Sequence, residues 1–171
     1  GVLRDRAYLR FESFLRRAGA FAHDLRCYDD ALEFIAEVRD RAGLKRRIDK
    51  AFPRGIDSPA FDDLLKGSLY PYQRQGALFA ARAGRSLVAD DMGLGKTLQA
   101  IAACEILARV MGVERVLVVC PTSLKYQWKQ EIEKFSGREA VVVEGGLSRR
   151  ALFPGWILAA VAFGLIAAGE R

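Results

Sequence analysis

The chain has 171 residues, a length that suits one domain or one domain with a small appendage. Its hydrophobic share of 51% argues against wholesale disorder, and a formal net charge of +6 permits a nucleic-acid partner without requiring one. Cys27, Cys104 and Cys120 stand at spacings that fit neither a zinc nor a redox pattern, so they read as buried free thiols in a reducing compartment. No basic, apolar and small-residue order marks a signal peptide at the N-terminus.

Residues 1–67 read as a small helical region. Val2, Leu3, Ala7, Tyr8, Phe11, Phe14, Leu15 and Ala18 recur at helical spacing up to Gly19. A second helix is expected from Asp29 to Ala42, with two aspartates at its positive end and Gly43 as its stop. In the short basic stretch Lys45–Lys50 the run Lys45-Arg46-Arg47 reads as a solvated face rather than as a contact for DNA phosphates, and Phe52-Pro53-Arg54-Gly55 reads as a turn. Ser58 and Pro59 are placed as N-cap and first residue of a short helix closed by Gly67.

From residue 68 the pattern alternates between helix and strand. Helices are expected at Tyr72–Ala83, Lys96–Met111 and Leu124–Phe135, the last with Leu124, Trp128, Ile132 and Phe135 on one face. Strands are expected at Ser86–Ala89, Arg115–Cys120 and Ala140–Val143. The uncharged run Leu152–Gly169 is read as holding a buried strand, Trp156–Val161, rather than a membrane span. Apolar strands separated by helices predict an α/β fold with a parallel sheet flanked by helices.

The strand-loop-helix order puts Asp90-Asp91-Met92-Gly93-Leu94-Gly95-Lys96-Thr97 at the C-terminal end of a strand, where open parallel sheets bind ligands. Gly93 and Gly95 let the backbone curl and aim N–H groups at an anion. Lys96 supplies a cation for the β- and γ-phosphates of a nucleoside triphosphate, and Thr97 a hydroxyl for magnesium. Asp90 stands where the general phosphate-loop pattern has its first glycine.

That aspartate, with Met92-Gly93-Leu94-Gly95-Lys96-Thr97 behind it, resembles motif I of the Swi/Snf family, the helicase-like ATPases of chromatin remodelling and their bacterial relatives. Leu69-Tyr70-Pro71-Tyr72-Gln73-Arg74-Gln75-Gly76 resembles the adenine-contacting segment of that family. Val118-Val119-Cys120-Pro121-Thr122-Ser123-Leu124, with Trp128 and Phe135, resembles its motif Ia. The resemblance covers Leu69–Val161 and implies a RecA-like P-loop fold for 68–171, the N-terminal part of the first ATPase lobe. It implies ATP and Mg as cofactors, held by Asp90, Asp91, Met92, Gly93, Leu94, Gly95, Lys96 and Thr97, with Lys96 and Thr97 the catalytic pair and Thr97 the magnesium ligand. It assigns adenine to Gln73, whose amide both donates and accepts, and a DNA phosphate to Pro121, Thr122 and Ser123. Trp128 reads as core rather than as a base-stacking platform.

The resemblance further implies double-stranded DNA as partner of the full protein, a second ATPase lobe, no membrane, and a cytoplasmic nucleoid-associated (bacterial) or nuclear (eukaryotic) location. Hydrolysis needs a carboxylate for magnesium and water. The Asp-Glu-Ala-His motif that supplies it in the family is absent, and Val141-Val142-Val143-Glu144 is the nearest approach to it. The chain therefore reads as a fragment that binds nucleotide weakly and hydrolyses little alone. Two other readings stay open: a different P-loop protein such as a kinase or GTPase, and a helical interaction module in 1–67, built on Tyr8, Phe11 and Phe14, with a vestigial loop.

Overall fold

The computed structural model describes residues 8, 10–20, 28–143 and 160–162. Five α-helices stand in the described residues: α1 (Phe11–Ala20), α2 (Asp29–Ala51), α3 (Pro71–Ala83), α4 (Lys96–Met111) and α5 (Lys125–Phe135). Strands β1 (Leu117–Val119) and β2 (Ala160–Ala162) and three 3-10 turns, Gly55–Asp57, Pro59–Phe61 and Thr122–Leu124, complete the order. The chain forms two compact units, Gly1–Arg46 and Arg47–Arg171, whereas the sequence reading set its helical region at 1–67.

In the first unit the N-terminal periodicity yields α1, which runs through Gly19 rather than stopping there. Residues 2–7 of the expected helix lie outside the described residues. The Tyr8 ring meets Phe34 edge-on at 5.7 Å, so one member of the aromatic stripe packs on a neighbouring helix. At the start of α2 the Ala31 N–H donates to Asp30 Oδ1 at 2.8 Å, which satisfies one of the orphan donors of the first turn. Gly43 does not end this helix, which continues to Ala51. A single internal glycine costs only about 1 kcal/mol, and burial of Ile48 farther along outweighs it.

The second unit takes its core from segments on both sides of residue 68. Ile48, Phe52, Phe61, Leu64, Leu65 and Leu69 are buried together with Ala77, Leu78 and Ala81 of α3 and Ala100–Ala103 and Ile106 of α4. The basic run 45–50 is thus helix, with exposed cations around a fully buried Ile48. The turn at Phe52–Gly55 forms as expected, with Gly55 N–H donating to the Phe52 carbonyl at 3.0 Å. Ser58 has the extended backbone of an N-cap, but its hydroxyl makes no cap bond, and the helix after it is the 3-10 turn Pro59–Phe61 rather than a helix reaching Gly67. Phe61, Leu64 and Leu65 are nonetheless all buried in the core.

The α3 helix runs from Pro71 to Ala83 and stops at Gly84, whose φ of 71° only glycine adopts without strain. The α4 helix has the bounds that the sequence predicts, closed by Gly112 in the left-handed region. The sheet departs from expectation. Among the described residues it is one parallel pair, with Leu117, Val118 and Val119 of β1 opposite Ala160, Val161 and Ala162 of β2. Ser86–Ala89 and Ala140–Val143 form no strand, and Trp156–Ala159 lies outside the described residues. Apolar β-branched residues favour extended backbone, but a strand exists only where a neighbour completes its ladder. Leu87 and Val141 are instead more than half exposed. The helix-flanked parallel sheet expected from the sequence is therefore not shown among the described residues, which hold one strand pair.

Cys104 is a half-buried free thiol on α4. Burial first, and then the Glu105 carboxylate, push its thiol up to about 11, against a smaller opposing effect of Arg138. The thiolate is the reactive form, and at pH 8 it is on the order of one part in a thousand for such a group. Alkylation of the folded chain at pH 8, followed by peptide mapping, is expected to spare Cys104 until urea unfolds the protein. Labelling should rise only as pH nears 11; rapid native labelling at pH 8 would contradict the burial. Cys120 is a half-buried free thiol, and Cys27 lies outside the described residues.

Candidate nucleotide site and nucleic-acid interface

The site starts from the segment ahead of α3. Arg74 binds it together: Nε donates to the Leu69 carbonyl at 3.2 Å and Nη1 to the Ile56 carbonyl at 3.2 Å. Its guanidinium also lies over the Phe61 ring, 5.2 Å from the centroid. These bonds set the direction in which α3 leaves Tyr70. Gln73, one turn into the helix, then points inward and is only 5% exposed. The Tyr70 N–H donates to Gln73 Oε1 at 3.1 Å, and Gln73 Nε2 donates to the Leu94 carbonyl at 3.3 Å. Gln73 and the phosphate loop, separated by about twenty residues in sequence, therefore meet directly. Each of its two polar atoms keeps one further hydrogen-bonding position.

Between Asp90 and Gly95 the loop is largely on the surface, with Met92 90% exposed. Gly93 has φ 84° and Gly95 φ 72°, so the curl expected from the sequence is made at those two residues. Gly95 is the N-cap of α4, and its carbonyl accepts from the Gln99 N–H at 3.1 Å. A side chain at Gly95 would also approach Gln73 Nε2 to 2.7 Å, which ties the glycine to the same glutamine. Lys96 folds back over the loop and Nζ donates to the carbonyls of Asp90 and Asp91 at 2.9 and 2.8 Å. Thr97 is half-buried in the first turn of α4.

This arrangement fits a triphosphate with magnesium. Curled glycines, a helix N-terminus, a surface ammonium and a first-turn hydroxyl converge on one exposed loop. Among the described residues no group of three or more His, Cys, Asp or Glu side chains is placed to hold a metal ion. A cation held through phosphate oxygens and one hydroxyl does not need such a group.

Sequence reasoning missed Gln99. This side chain is 1% exposed, and its Nε2 donates to Asp90 Oδ2 at 2.7 Å. Opposite it is Gly76 of α3, where an added Cβ would collide with the Gln99 amide. One signal was available: a lone glutamine interrupting the apolar run Leu98–Ala103 at the start of α4. The pair Glu105 and Arg138 was missed as well. Arg138 Nε and Nη2 donate to the two carboxylate oxygens of Glu105 at 2.5 and 3.0 Å, and fasten the segment after α5 to α4. That bond raises the Arg138 pKa.

Pro121, Thr122 and Ser123 follow β1 on the surface and open the 3-10 turn that leads into α5. The Leu124 N–H donates to the Pro121 carbonyl at 2.9 Å and closes this turn. No hydrogen bond among the described residues links it to the phosphate loop. Trp128 is half-buried on α5. Phe135, at the end of α5, packs beside Gly67, and its carbonyl accepts from the Lys66 N–H at 2.7 Å.

Comparison with known proteins locates the same stretch. The SNF2-related domain family matches residues 72–150. The human DNA annealing helicase and endonuclease ZRANB3 is 46% identical over 74 residues, which are 43% of this chain and 7% of that protein. The Caenorhabditis elegans homologue of SWI/SNF-related matrix-associated actin-dependent regulator of chromatin subfamily A-like protein 1 is 40% identical over 95 residues, 54% of this chain and 13% of that protein. Helicase SWR1 of Debaryomyces hansenii is 38% identical over 96 residues, 52% of this chain and 6% of that protein. The chain thus spans a small part of each relative's length. The match to the SNF2-related domain family over residues 72–150, which hold Gln73, the loop 90–97 and the 121–123 turn, together with these relatives supports a Swi/Snf-family helicase-like ATPase, N-terminal region.

Proposed function

We propose that this chain is the ATP-binding part of a Swi/Snf-type, ATP-dependent DNA translocase. The observation that supports the reading is the bond between Gln73 and the Leu94 carbonyl, which joins the start of α3 to the loop 90–97. Bound ATP with magnesium would supply the triphosphate whose hydrolysis drives movement along duplex DNA. The chain's own residues bind and orient it. Gly93 and Gly95 curl the loop, Lys96 turns from its two loop carbonyls to the β- and γ-phosphates, and Thr97 offers its hydroxyl to magnesium. Gln73 reads adenine with the hydrogen-bonding positions left over from Tyr70 and Leu94.

Pro121–Ser123 would hold a DNA phosphate, an assignment supported by their exposure and by two hydroxyls at the opening of a turn. Residues 68–171 are then the N-terminal part of the first ATPase lobe, and 1–67 a helical region before it. The carboxylate for hydrolysis and a second lobe belong to other parts of the full protein, so this chain binds nucleotide weakly and turns it over little. The relatives' printed names, a DNA annealing helicase, a chromatin regulator and a helicase, support DNA as the partner and a nuclear or nucleoid location. No helix among the described residues is long and apolar enough to cross a membrane.

The test is nucleotide choice. In competition against a fluorescent ATP analogue, ATP should displace the probe at least about tenfold better than GTP, the discrimination of one good base-edge contact. Replacing Gln73 with Ala should erase that difference. A preference for guanine would instead point to a GTPase-like site and remove the adenine role from Gln73.

A further inference from the structure

Asp90 creates an electrostatic problem for the loop. Its carboxylate stands six residues before Lys96, and the Lys96 ammonium already lies 2.9 Å from the Asp90 main-chain oxygen. An aspartate free to rotate there would capture the lysine as an ion pair and compete with any phosphate for it. The structure places no such pair among the described residues. The Asp90 carboxylate is turned to α4 instead, where Gln99 Nε2 donates to Oδ2 at 2.7 Å. Gln99 has no freedom to leave. It is 1% exposed, its Oε1 is buried without a partner, and its amide lies against Gly76, where any side chain would displace it. The two buried glutamines thus pin the two ends of the loop, Gln73 at Leu94 and Gln99 at Asp90.

We propose that Gln99, backed by Gly76, is a positioning residue that holds the Asp90 carboxylate away from Lys96 and so keeps the ammonium available to an anionic phosphate ligand. This inference rests on the phosphate-site reading of the loop. It differs from a packing role for Gln99 in one respect: the damage caused by losing Gln99 is done by Asp90, and removing the charge of Asp90 repairs it.

The measurement is the dissociation constant of a fluorescent ATP analogue with magnesium on the 171-residue chain, for wild type, Gln99→Glu, Gln99→Met and each combined with Asp90→Asn. Gln99→Glu keeps the shape of the side chain and repels Asp90 toward Lys96, and Gln99→Met removes the donor. Each single variant is expected to bind about tenfold more weakly. Adding Asp90→Asn should recover most of the loss, most fully with Gln99→Glu, because the new amide donates to the new carboxylate. Melting temperatures measured alongside separate folding from binding: if Gln99→Met unfolds, the Gln99→Glu pair decides. Unchanged affinity in Gln99→Glu would overturn the inference, and so would a loss that Asp90→Asn leaves in place or deepens. If the wild-type chain shows no magnesium-dependent binding, the phosphate-site reading itself falls, which is a distinct result.

Discussion

A chain beginning at Ser68 is expected to lose its cooperative unfolding transition, whereas a chain beginning at Arg47 is expected to keep it. The reason is the origin of the core in the second unit. Ile48, Phe52, Phe61, Leu64 and Leu65 are all at most 7% exposed and precede residue 68. At about 1.5–3 kcal/mol for each buried apolar side chain, their removal costs on the order of 10 kcal/mol, comparable to the whole stability of an ordinary domain. Polar ties are lost with them. Arg74 no longer reaches the Ile56 carbonyl or the Phe61 ring, and Arg109 loses the Asp63 carboxylate at 2.8 Å and its carbonyl. The Arg109 guanidinium holds the Asp63 carboxyl below its usual pKa, so that tie is complete above the ordinary carboxylate range and fades as pH falls below it. Urea titrations of the two truncated chains, followed by circular dichroism, read the difference. A cooperative transition in the 68–171 chain would show that the earlier segment is an appendage.

The same core explains what was legible in the sequence. Helices α3 and α4 were visible to within a residue, because their ends carry local signals: Pro71 and Gly84 for one, Gly95 and Gly112 for the other. The loop residues and Gln73 were named from their chemistry and from a family resemblance, and the structure brings Gln73 onto the loop. What stayed hidden is tertiary. Gly43 reads as a stop, yet α2 continues to Ala51 and buries Ile48 beyond it. Ser86–Ala89 and Ala140–Val143 read as strands because propensity is local, while pairing depends on a neighbour elsewhere in the chain. Asp90 read as a departure from the general phosphate-loop pattern. Its bond to Gln99 gives it a structural partner that no spacing rule announces.

Lys96 carries the second large effect. Its ammonium is on the loop surface and, among the described residues, bonded to two main-chain carbonyls, so in the proposed site it would move to a phosphate at the cost of neutral acceptors rather than of an ion pair. A charge-assisted bond of this kind is worth about 1.5–3 kcal/mol, or about 10–100-fold in affinity. Lys96→Ala removes it and leaves the α3–α4 core intact, so the melting temperature should change little while nucleotide binding collapses. The decisive measurement is therefore titration of the 171-residue chain and its Lys96→Ala variant with a fluorescent ATP analogue, with magnesium and with EDTA. The wild-type chain is expected to bind in a magnesium-dependent manner, and the variant about 10–100-fold more weakly. Equal binding by the two chains, or binding by neither, would contradict this expectation.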